Sequence, residues 1–397
     1  MRPILVSISL FCLAILHIQC SNPPIEQEPM NVTFATYNVS MESENYLGRY
    51  AEGVSAQVLI DELASGNSLH IKNIAKIIQT VRPDVILLNE FDYIEDPAQG
   101  VEQFIKAYLE VPQDSAEAIS YPYYYYSTSN TGVETPFDLN GDGKFEGSGN
   151  DAFGYGRYPG HYGMVLLSKY PIDVANIRTF QLFKWKDMPN ALQTTNADGS
   201  PWYSPAAWQE FRLSSKSHWD VPIQVGDKTI HVLASHPTPP SFDGEEDRNG
   251  KRNHDEIRFW TDYIDANNGA YIYDDKNQKG ALGDKSFMIM GDLNASPDGG
   301  NALIEGISGL LNHPRVNNNF TPSSKGGELH SPDIATGKYH TALWRMRADY
   351  VLPSADLNVI DYEVFWPAAG EPLYEMMKDR EASSDHRLVW VKITLEN

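Results

Sequence analysis

Cysteine is nearly absent from this chain of 397 residues: there are two, Cys12 and Cys20. Both lie in an N-terminal stretch that reads as a leader. Arg2 gives it a positive start, and Ile4 to Ile18 is apolar apart from small or weakly polar residues and His17. That run is too short and too early for a membrane span, so residues 1–20 read as a signal peptide. Cys12 falls inside the apolar region, and the mature chain therefore cannot close an internal disulfide, even in an oxidising compartment. Cys20, followed by Ser-Asn-Pro-Pro, resembles a bacterial lipoprotein signal, in which the cysteine is lipidated and becomes the mature N-terminus. Ile18 and Gln19 depart from the small residues usual before such a cysteine, and an ordinary signal peptide is the alternative. The lipoprotein reading implies an extracytoplasmic protein held at a membrane by a lipid on Cys20, with no obligate protein partner.

Positive charge is scarce too. The chain has 31 Lys and Arg against 53 Asp and Glu, a formal charge of -22. Nucleic acid is held mainly through its phosphates by Lys and Arg, so this balance lowers the odds of a DNA substrate, a local basic cleft aside. Acidic surfaces suit solubility outside the cell. At 41% hydrophobic and 21% charged, the composition supports a full core and is not that of a disordered chain. Neither an internal repeat nor a second composition marks another domain. Residues 21–30 read as a polar, Pro-containing linker and 31–397 as one domain, with long insertions near 115–160 and 180–220 rich in Tyr, Trp, Gly and Pro.

Within that domain, strand-like and helix-like segments alternate. Strands are expected at 32–39, 85–88, 162–167, 230–235, 287–290, 350–352 and 389–393. Ile71, Ile74, Ile77, Ile78 and Val81 share one face at helical spacing, and Pro83 stops that helix. The informative feature is where polar residues fall. Asn38, Glu90, His236, Asp292 with Asn294, Asp349, and Asp385 with His386 each stand at or beside a strand end. Ends of neighbouring strands share a rim, where loops converge on a ligand. Any one of these residues alone is better explained as a turn residue; eight together are not.

Tyr37-Asn38, Leu88-Asn89-Glu90, Gly291-Asp292-Leu293-Asn294 and Ser384-Asp385-His386 are similar, in order and spacing, to the motifs of the endonuclease/exonuclease/phosphatase superfamily. The resemblance spans residues 30–397. It implies an α/β (α+β) fold, a four-layered α/β sandwich of two packed mixed β-sheets flanked by helices. It also implies hydrolysis of a phosphate ester by in-line attack of water, with Mg²⁺ or Mn²⁺ as catalytic ion. Glu90 would be the primary carboxylate ligand of that hard cation, with Asn38 and Asp385 completing the shell. The resemblance assigns Asp292 to the attacking water and Asn294 to the phosphate. His386 would be charged or oriented by Asp349, and His236 would donate a proton or hydrogen bond. His161 or Tyr162, in Gly160-His161-Tyr162-Gly163, would supply a further phosphate contact, and the sequence does not choose between them.

Another metal is suggested by Asp138-Leu139-Asn140-Gly141-Asp142-Gly143, which matches the first half of a calcium loop. Gly149 stands where such a loop carries its closing Glu. Glu146 or Asp151 would have to close the shell of a structural Ca²⁺ made by Asp138, Asn140 and Asp142; the bland alternative is a Gly/Asp turn. Arg212 to Trp219, with Lys216 and His218, and Arg248, Lys251 and Arg252 are the best local cationic patches, though such patches are more often solvated faces. The Tyr121–Tyr126 run reads more readily as a packed strand than as a stacking surface. The substrate is thus expected to be a small phosphate ester, a lipid headgroup or nucleic acid. An extracellular nuclease is the first alternative, and a calcium-stabilised binding protein without catalysis the second.

Overall fold

In β1 (Met30–Met41) the side chains alternate between two apolar environments, the period that a strand buried on both faces requires. Val32 and Phe34 point one way, Ala35 and Tyr37 the other, and all four are fully buried. The computed structural model describes residues 29–396; the signal peptide, Cys20 and nearly all of the linker lie outside the described residues. Ten further strands follow: β2 (Val85–Phe91), β3 (Tyr123–Tyr126), β4 (Met164–Ser168), β5 (Arg178–Thr179), β6 (His218–Val225), β7 (Lys228–Ser235), β8 (Phe287–Asp292), β9 (Asp349–Pro353), β10 (Asn358–Val364) and β11 (Val389–Leu395). They form a six-stranded sheet in the order β10-β11-β1-β2-β4-β3 and a five-stranded sheet in the order β5-β6-β7-β8-β9.

Both sheets are mixed. Each contains one parallel pair, β1 with β2 and β7 with β8, amid antiparallel neighbours. A parallel pair needs a crossover. Helix Leu69–Val81 supplies it in the first sheet and helix Arg248–Tyr263 in the second. Val32, Phe34, Val85 and Leu87 meet Trp219, Val221, Val232 and Met288 between the sheets. Tyr37, Ile86 and Leu88 pack outward on Ile71, Ile74 and Ile78, while Leu233, Ile289 and Leu352 pack outward on Phe259, Trp260 and Tyr263. The result is helix, sheet, sheet, helix: the four-layered α/β sandwich.

Each strand expected from the sequence forms, with shifted ends. The one expected from Tyr162 starts at Met164, because Tyr162 takes a positive φ of 56° and turns the chain before pairing begins. The insertion expected to reach residue 220 stops short, since His218 opens β6. Helix Arg248–Tyr263 was not legible from apolar spacing. Its first half buries Arg252, Asn253, Asp255 and Glu256, and only Ile257 onward is apolar.

Candidate active site

The C-terminal ends of the two parallel pairs, together with the starts of β9 and β11, lie at one end of the sandwich, so Asn38, Asn89, Glu90, His236, Asp292, Asp349 and His386 are carried to a common rim. Asp292 is the hub. Its Oδ2 accepts a hydrogen bond from Asn38 Nδ2 at 3.1 Å and lies 3.4 Å from His236 Nε2 and 3.5 Å from His386 Nε2. Oδ1 accepts from the Asn294 backbone N–H at 3.0 Å, and the Asp292 N–H donates to Asn89 Oδ1 at 3.2 Å, locking the two sheets together at this point. Asn294 itself takes a left-handed φ of 52°, and its amide donates to Pro237 O at 3.2 Å.

The two histidines sit in opposite electrostatic settings. Burial alone would depress His386, but the charges of Asp349 and then Asp292 override it and raise the imidazole to about 10. Its Nδ1 is 2.9 Å from Asp349 Oδ2, which also accepts from Thr341 Oγ1 at 2.7 Å. Its Nδ1 proton is therefore pinned on Asp349 and its Nε2 aimed at Asp292. His236 is pushed well below the ordinary range, first by burial and then by Lys216 and His386, so it is neutral. Its Nδ1 is buried without a hydrogen-bond partner among the described residues. Asp292 is raised to about 7 by burial, against the pull of His386. A carboxylate poised near neutrality beside one charged and one neutral imidazole suits proton transfer at physiological pH.

Beside this hub lies an acidic group that the sequence revealed only in part. Glu90, at a positive φ of 56°, and Asp385 both face the guanidinium of Arg380, at 3.4 and 3.6 Å. The same guanidinium bonds Glu42 at 3.0 Å. Glu42, Glu44, Arg157 and Arg380 carried no sequence signal of a site; Glu42 and Glu44 directly follow β1, which was the available clue. Glu90 and Asp385 offer hard carboxylate oxygens around a point where the structure already holds a cationic group, and that donor set fits Mg²⁺ or Mn²⁺. Asp292, Asp349 and His386 also place ligand atoms within 4.8 Å of one another. They are a poorer metal site, because His386 is protonated and already engaged by Asp349.

Of the two candidate contacts near residue 160, His161 is fully buried: its Nδ1 accepts from the Arg157 N–H at 3.3 Å and its Nε2 donates to Glu42 at 3.0 Å. Tyr162 lines the cavity described next, and its hydroxyl donates to Glu44 at 2.9 Å. The rim opens into two adjoining cavities of about 760 and 480 Å³ that share Glu90, Arg380 and Phe242. His236, Lys216 and Tyr162 line the larger; Asp292, Asn294 and His386 line the smaller.

In the calcium-like loop, Asp138 accepts from the N–H groups of Gly141 and Gly143 at 2.7 and 2.9 Å, and Asn140 from Asp142 at 3.0 Å. Asp151 bridges the two ends of the loop: its two oxygens accept from the N–H groups of Leu139 and Glu146 at 2.8 and 2.9 Å. The loop's side-chain oxygens are thus held by its own backbone N–H groups, and Leu139, Asn150 and Ala152 of this segment line the larger cavity.

Two packed sheets bearing a carboxylate between two imidazoles, with hard oxygen donors alongside, are the architecture of a metal-dependent phosphoesterase. The family model described as "Endonuclease/Exonuclease/phosphatase family" matches residues 35–386, and the chain belongs to that family. It is accordingly a hydrolase of phosphate esters that uses divalent metal. Among curated protein sequences none matches it. Solved structures similar to it include an endonuclease/exonuclease/phosphatase from Beutenbergia cavernae, at 16% identity over 92% of this chain and 72% of that one, with a TM-score of 0.47. A family protein from Bacteroides thetaiotaomicron matches at 14% identity, covering 94% of this chain and 100% of its own, with a TM-score of 0.43. Sphingomyelinase C from Streptomyces griseocarneus matches at 16%, covering 91% and 99%, with a TM-score of 0.43.

Proposed function

We propose that this protein is an extracytoplasmic hydrolase of small phosphate esters, a free metabolite or a lipid headgroup, acting by in-line attack of water on phosphorus. The observation that carries this reading is Asp292 held between Asn38, His236 and His386 at the mouth of the two cavities. Asp292 takes the proton of the attacking water. His386, charged and oriented by Asp349, faces the phosphate oxygens, and Asn294 contacts the phosphate. Neutral His236 donates a hydrogen bond to the leaving oxygen. Glu90, Asp385 and Asn38 hold the divalent ion, which when bound neutralises charge on the phosphate. Tyr162, not His161, is the further contact.

A concave pocket of about 760 Å³ favours a small ester over duplex DNA, and so does the charge of -22. Purified protein is expected, with Mg²⁺ or Mn²⁺, to hydrolyse p-nitrophenyl phosphate or bis-p-nitrophenyl phosphate with little dependence on salt. Plasmid cleavage that falls steeply with salt, with neither small ester turned over, would support the nuclease instead.

Two further parts belong to this reading. Cys20 carries a lipid anchor; labelled fatty acid should enter the wild type and not Cys20→Ala, and equal labelling would dismiss the anchor. Asp138, Asn140 and Asp142, closed by Asp151 beside Glu146, hold a structural Ca²⁺ that stiffens the cavity wall. Calcium should then raise the melting temperature of the wild type and not of Asp138→Ala.

A further inference from the structure

Five cationic side chains line the larger cavity, and three are engaged by protein. Arg252 donates to the carbonyls of Leu213, Phe153, Arg212 and Ser214 at 2.5 to 3.2 Å. Arg248 pairs with Glu246, and Arg380 with Glu42 and Glu90. Arg49 is at the exposed rim, 5.1 Å from the Tyr50 ring and 5.2 Å from that of Phe242. Lys216 is different. It is 6% exposed and lines the cavity wall with Ser215 and His236. Among the described residues its ammonium has no hydrogen-bond acceptor and no carboxylate within 4 Å; Glu256, Glu90 and Asp292 act on it only from farther away. Glu256 is not free to turn toward it, since its two oxygens accept from the N–H groups of Ser215 and Thr238, each at 2.6 Å.

Lys216 is a largely buried side chain whose ammonium opens on the cavity; holding a lysine there without a protein partner costs stability, and such a cost persists where a ligand supplies the missing charge. The cavity has room for that ligand beside Lys216, and its walls carry Tyr155, Tyr162, Tyr203 and Phe211. We propose that Lys216 is a substrate-recognition residue: its ammonium receives a phosphate oxygen of a small phosphate ester whose organic part lies against those aromatic rings. This rests on the small-ester reading above and adds the residue that sets charge preference. A monoester dianion gains more from one fixed cation than a diester monoanion does.

The test uses the metal-loaded full chain, with inorganic phosphate titrated calorimetrically and the two nitrophenyl esters as substrates. Lys216→Met is expected to weaken phosphate binding at least tenfold and to raise KM for p-nitrophenyl phosphate more than for bis-p-nitrophenyl phosphate. It should also raise the melting temperature, because a largely desolvated charge without a protein partner is removed. Lys216→Gln, which keeps a polar end without the charge, should lose phosphate affinity as well. Unchanged phosphate affinity in either folded variant, or a lowered melting temperature in Lys216→Met with phosphate affinity retained, overturns the proposal while leaving an active wild type. Failure of the wild type to hydrolyse either ester overturns the small-ester reading itself.

Discussion

At Asp292 one side chain is asked to satisfy Asn38, the Asn294 N–H and two imidazoles while buried, and burial holds it near a pKa of about 7. An acid whose folded pKa is raised is a stability cost when ionised. Asp292→Asn should therefore leave the fold intact or more stable, as thermal unfolding will show, while turnover falls by about three orders of magnitude or more if the carboxylate takes the proton of water. His386→Gln should lose a comparable factor, since it removes the charged imidazole beside Asp292. Wild-type-like rates in either variant would contradict the assignment. At this scale much was legible: carboxylates, amides and histidines at strand ends announced a rim. Glu42, Arg380 and the burial of His161 were not, because nothing local distinguishes a carboxylate that faces solvent from one facing a guanidinium 338 residues away.

Elements bring those residues to the rim by the way they end. Gly291 closes β8 at a φ of 149°, and a Cβ there would meet the Ser235 carbonyl of β7 at 1.9 Å. Gly291→Ala should therefore force β8 away from β7, cost roughly 3 kcal/mol or more in denaturant unfolding, and displace Asp292 with loss of activity. A variant with wild-type stability would show that the close approach is not needed. Strands with simple apolar runs, such as β2 and β8, were readable because both their faces are buried. Helix Arg248–Tyr263 hid its nature because Arg252, the amide nitrogen of Asn253 and Glu256 bond backbone groups of distant loops, and pattern reading treats such residues as exposed.

Across the molecule, buried histidines set the pH range. His70 and His218 are both lowered to about 4, each chiefly by burial. The unfolded chain binds their protons near pH 6.5, so their contribution is intact above that value and is lost as pH falls toward 4, each costing on the order of 3 kcal/mol there. His386 runs the other way: raised to about 10, its contribution is present below pH 6.5 and fades as pH climbs through 10. Urea unfolding followed across pH should show stability declining on both sides of neutrality, and the acid limb should shrink in His218→Gln; an unchanged acid limb would remove His218 from the account. By itself the sequence determined the main strands, the first crossover helix and the set of polar strand ends, because alternation and helical spacing are local properties; the four-layered sandwich was what the short motifs' resemblance to the family implied. Only the tertiary structure decided which histidine is charged, that Tyr162 lines the cavity while His161 does not, and that Lys216 has no partner among the described residues. Those are matters of burial and of Coulomb interactions between residues far apart in the chain, and they exist only once the two sheets have met.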